Sequence, residues 1–93
     1  MSNETENNLE INRQPDPAAT LKSARDSVWV INDNLQKLNN GQQFTNDIKG
    51  NLERNLGHLK LVVASQYIID SGLDVSDLNS AITAAETKIA ENT

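Results

Sequence analysis

Leu21, Ala24, Val28, Ile31, Leu35 and Leu38 follow one another at alternating steps of three and four residues. A helix places residues so spaced on one face, and the face is a heptad seam, narrower than the apolar stripe of an ordinary surface helix. A second such run, Val75, Leu78, Ile82, Ala85 and Ile89, lies toward the C-terminus. Between the two, Ile48, Leu52, Leu56, Leu59, Val63 and Tyr67 make one helical face. At about 100° per residue, Gly50, Gly57, Leu61, Ala64 and Ile68 fall roughly opposite it. The middle helix is therefore apolar on two sides over its second half, the pattern of a helix that packs on both. Three seams and no strand-period alternation predict an all-α chain.

Composition agrees. Hydrophobic residues make up 37% of the 93 residues but aromatics only 3%, so the core must be aliphatic, built from Leu, Ile, Val and Ala. A chain this short has room for one core.

The helix ends are marked by their own chemistry. Asp16 is an N-cap and Pro17 sits at the first helical position, where its missing N–H costs nothing. The Asn-Asn-Gly stretch at 39–41 ends that helix, and Asp33 with Lys37 makes an i,i+4 pair on its outside. A second helix is predicted over about 45–70, opened by Thr45 with Asp47 in its first turn. Gly72 fits the left-handed position after it. Leu73 would touch Ile68 in a Schellman contact and Leu78 in a hydrophobic staple, locking both sides of the turn. Asp74 caps a third helix over about 75–90. Residues 1–15 are polar and Asn/Glu-rich, and they read as a disordered tail with Leu9 and Ile11 as its only apolar anchors. The expected organisation is that tail followed by one helical domain over 16–91. Helices of about 35, 39 and 24 Å joined by short loops predict either of two arrangements. One is a three-helix antiparallel bundle; the other is an extended helical hairpin plus a third helix.

Charge and residue types narrow the function. Thirteen acidic against eight scattered basic residues, net −5, disfavour a surface that tracks phosphates, so no nucleic-acid partner is expected. With no cysteine there is no disulfide framework, thiol nucleophile or thiolate metal site. The first residues carry neither a basic nor an apolar leader segment, and no apolar run approaches the roughly 20 residues of a membrane span. No membrane partner is expected, and the expected location is the cytoplasm or a particle assembled there.

His58, the only histidine, lies on the flank between the two faces of the middle helix with Asn51, Arg54 and Ser65. No carboxylate or nucleophile stands three or four residues away to orient it. It reads as a boundary residue making a local hydrogen bond. Asp70, Asp74 and Asp77 cluster, but they lack the alternating oxygens and closing glutamate of a calcium loop. Asp70, at the C-terminal end of a helix, has no evident role. No glycine-rich phosphate loop follows a strand. The expectation is a protein that is no enzyme and uses no cofactor, metal or small-molecule substrate.

Two of the four glycines lie inside a helix, where each costs about 1 kcal/mol relative to alanine. Gly50, Gly57 and Ala64 recur every seven residues, a spacing that suits close approach by another helix. Trp29 and Val30 lie off the first seam. Trp29, Val30, Gly57, Leu61, Ala64 and Ile68 are thus the candidate protein-contact residues.

The stretch RNLGHLKLVVASQYIIDSGLDVSDLNSAITAAETKIA, within 51–90, resembles the C-terminal part of small, functionally uncharacterised helical proteins encoded in phages and prophages. The shared features are a His-Leu pair, an apolar stretch, a Ser-Gly turn, an Asp-Leu helix start and an Ala-rich last helix. The resemblance implies a phage-encoded, non-enzymatic helical protein. Two functions fit. The first is a structural or assembly protein, such as a virion or tail accessory factor, that forms a homo-oligomer through helix–helix contacts. The second is an acidic binding module that inhibits a host protein through charge complementarity.

Overall fold

A computed structural model describes residues 16–93 of the chain; the tail read over residues 1–15 lies outside them. The described residues are all-α, with helices α1 (Pro17–Asn39), α2 (Asn46–Ala64), α3 (Gln66–Ser71) and α4 (Ser76–Glu91). The seams account for most of the assembly, with Val62, Ile68 and Ala81 joining the core from outside them. Leu21, Ala24, Ile31, Ile48, Leu52, Leu59, Val62, Ile68, Leu78, Ala81, Ile82 and Ala85 form one buried cluster, with Val28, Leu35, Leu38, Leu56, Val63, Tyr67 and Ile89 half-buried around it.

α1, α2 and α4 each touch the other two, which closes a three-helix bundle rather than leaving an extended hairpin. Directions follow from the cross-helix contacts. The Tyr67 hydroxyl donates to Thr20 Oγ1 at 3.2 Å, bringing the end of the second helical stretch to the start of α1. Lys60 pairs with Glu86 at 3.2 Å, while Glu53 lies level with Ala90, so α4 runs antiparallel to α2. Arg25 then joins the starts of α1 and α4: its Nε donates to Asp77 Oδ2 at 2.8 Å and its Nη2 to the Asp74 carbonyl at 3.3 Å.

Helix ends behave as their residues dictate. Asp16 accepts from the Ala18 amide and Thr45 from the Ile48 amide. Gly41, at φ 101°, closes α1 with a full Schellman pair, the Gln42 amide donating to Lys37 O and the Gly41 amide to Leu38 O. Gly72, at φ 71°, takes the left-handed conformation expected of it, but the pattern around it differs. The Gly72 amide donates to Ile69 O at 3.3 Å. The second bond is relayed: the Leu73 amide donates to Ser71 Oγ at 3.1 Å, and Ser71 Oγ donates to Ile68 O at 2.6 Å. Leu73 is 43% exposed, so it does not lock the turn as a buried double staple. Asp74, expected as the cap of this helix, stands two residues ahead of its first residue, Ser76, and accepts from the Ser76 amide at 2.9 Å, while Val75 holds the N-cap position without a side-chain bond.

The main departure is at Ser65. A single helix over 45–70 is expected, yet Ser65 is extended at φ −71°, ψ 130° and separates α2 from α3. The Ser65 hydroxyl donates to Leu61 O at 2.8 Å, which is the carbonyl its own amide would use in a continuous helix. The amide turns instead to Val62 O at 3.1 Å, and the Ile69 amide restarts the ladder on Ser65 O at 3.0 Å. The break re-phases the residues of α3. Ile68, which a continuous helix would place outside, is buried at 2%, and Ile69 faces outward at 55%.

Candidate functional site

Of the six residues predicted as contacts, four are on the surface. Leu61 is 73% exposed and Trp29 67%, values far above what a side chain of either size shows when packed. Gly57 and Ala64 are exposed, and Val30 is half-buried. Ile68 is corrected: it is a core residue, because the break at Ser65 turns it inward. The outer face of α2 therefore reduces to the exposed Gly57, Leu61 and Ala64 at helical spacing, with the half-buried Gly50 two turns earlier beyond the exposed Glu53 and Arg54. Trp29 stands apart on α1.

Among the described residues, Gly57 has no packing reason. A Cβ built there would meet nothing within 4 Å. Gly50 differs only in having Arg54 Nη1 at 3.3 Å from such an atom, the far end of a flexible side chain. Both glycines cost helix stability, and for Gly57 no neighbour among the described residues would be displaced by a side chain.

A shallow groove of about 420 Å³ runs beside this stripe between α2 and α4, floored by Leu56, Gly57, Ile89 and Ala90 and rimmed by Glu53 and Glu86. The sequence carries no sign of it, because it depends on the level at which residues more than thirty positions apart meet. The exposed Ile69 and Leu73 were missed for the related reason that the break sets their direction.

The polar residues are occupied locally. Asp70 accepts from Gln66 Nε2 at 2.8 Å, which supplies the role the sequence left open. Asp77 pairs with Arg25, and the Asp74 carboxylate serves the Ser76 amide. That amide holds the Asp74 carboxyl below its usual range, helped by the Ser76 hydroxyl and the Arg25 charge. Among the described residues, no three His, Cys, Asp or Glu side chains gather to hold a metal. His58 is exposed and lines a shallow depression with Asp16, Ala19, Thr20 and Ser23. Its imidazole makes no hydrogen bond among the described residues, so the local bond expected of it is not formed. Among these residues, no helix is long and apolar enough to cross a membrane.

The chain matches no protein-family model, no curated protein and no solved structure.

Proposed function

We propose that the protein is a small, non-enzymatic helical assembly factor that works through helix–helix contacts, in the manner of a phage virion or tail accessory protein. One observation carries this reading: α2 keeps Gly57, Leu61 and Ala64 facing solvent, with Gly50 half-buried in line with them, although the core among the described residues forms without this face. An exposed leucine one turn from a glycine with open space above it is surface suited to another helix. The setting in a phage particle rests on the resemblance of residues 51–90 alone.

Sedimentation of the wild type beside Leu61→Lys and Trp29→Asp tests the reading, with far-ultraviolet circular dichroism as the control. Leu61→Lys should remove the assembled species while helicity stays unchanged. Equal assembly in all three would remove the support that the α2 face gives.

The second reading, an acidic module that occupies a host protein's basic surface, is favoured by the two glutamates on the rims of the α2–α4 groove. Binding to a host protein that weakens steeply with salt supports it; salt-independent binding counts against it.

A further inference from the structure

The outer face of α2 has a property that concerns its own copy. Resting on the assembly reading, we propose that it pairs antiparallel with the same face of a second chain, about a two-fold axis at Gly57.

Three observations converge. The first is spacing: Gly50, Gly57 and Ala64 stand seven apart, and reversal about Gly57 returns the same set. Gly57 meets Gly57 of the second copy, and Gly50 meets its Ala64, so small residues face small residues at three levels along the contact. A C2 interface requires this kind of self-complementarity. Helices whose axes lie about 9 Å apart, each with Cα atoms about 2.3 Å from its axis, would bring the two Gly57 Cα atoms to on the order of 4 to 5 Å. Only residues without bulk permit that approach, and the space above Gly57 is open.

The second observation is charge. Glu53 and Lys60 lie on the same side of the stripe, and the same reversal puts Glu53 of each copy level with Lys60 of the other. Two opposite-charge pairs result. Glu53 has no ion-pair partner among the described residues, and Lys60 keeps a side chain 57% exposed while it bridges to Glu86. Leu61 falls level with Glu53 and Arg54 of the second copy, where the aliphatic stem of the arginine can cover it.

The third is the charge of the element as a whole. α2 carries Lys49, Arg54 and Lys60 against Asp47 and Glu53, a slight positive excess in a chain of net charge −5. Two copies that meet through α2 avoid the like-charge repulsion that any acidic face would bring.

The register makes a mixing experiment decisive. In Glu53→Lys alone, both interchain pairs become Lys–Lys; in Lys60→Glu alone, both become Glu–Glu. Each variant should dimerise on the order of tenfold more weakly than the wild type by sedimentation, from two exposed pairs reversed in sign. An equimolar mixture of the two restores both opposite-charge pairs, so a mixed dimer of near wild-type strength is expected. Because the natural chain has no cysteine, Gly57→Cys provides a second readout. It should form a disulfide-linked dimer rapidly in air, with Ser80→Cys on the outer face of α4 as the slow control. A dimer unaffected by either charge change, with Gly57→Cys crosslinking no faster than Ser80→Cys, overturns this face and leaves assembly through another surface standing. A wild type that stays monomeric overturns the inference and removes self-assembly from the functional reading as well.

Discussion

Ser71 replaces one backbone hydrogen bond with two through its hydroxyl, donating to Ile68 O and accepting from the Leu73 amide. The turn into α4 therefore depends on a side chain where a Schellman turn depends on backbone alone. Ser71→Ala should lower the unfolding free energy by about 1 kcal/mol, the net worth of a part-buried hydrogen bond, as read by urea denaturation. A turn at Gly72 was legible because only glycine takes φ 71° without strain. The hydroxyl relay was not, since a serine before a glycine has many other uses. Asp74 adds a pH dependence. Its carboxyl titrates below its usual range when folded, so the stabilisation is complete above the unfolded pKa and disappears as pH falls through the folded one. Urea midpoints of wild type and Asp74→Asn should differ at pH 7 and converge as the carboxyl protonates. A gap that persists unchanged into acid would mean that the charge contributes nothing.

At the scale of elements, the break between α2 and α3 decides which isoleucine is core. Ile68→Ala should cost about 2 to 5 kcal/mol, as for other fully buried aliphatic side chains, whereas Ile69→Ala should stay within about 0.5 kcal/mol. Equal costs in denaturant melts would mean that the helix runs straight through Ser65. Helical phase carried the reading of α1 and α4, where Leu21, Ala24, Ile31, Leu78, Ile82 and Ala85 are buried as their spacing requires. In α2 it held through Leu59; Val62, outside the predicted face, is buried in place of Val63, and beyond Ser65 the phase failed, because periodicity assumes an unbroken ladder and Ser65 interrupts it with its own hydroxyl. Serine inside an apolar run signals such competition only weakly; many serines in helices bond the same carbonyl without breaking the chain. Gly57, Leu61 and Ala64 lie before the break, so their outward direction was legible. Ile68 lies after it, and its direction was not.

Across the whole molecule, the three seams meet one another and leave one stripe of α2 facing solvent. Short connections made a closed antiparallel bundle one of two expected arrangements. The contacts of Arg25 with the start of α4, and of Lys60 with Glu86, select it. These ion pairs are half-exposed and contribute about 0 to 1 kcal/mol each, so they register the helices while burial of the aliphatic cluster holds them. The functional reading follows from what burial leaves over: a bundle whose core is complete still presents Leu61 at 73% exposure between two small residues. The solution mass of the wild-type chain, measured by light scattering after size exclusion at several concentrations, tests this most directly. The account predicts a species of twice the 10.2 kDa chain mass that gives way to the single chain on dilution. A mass that stays at 10.2 kDa at every concentration would contradict it.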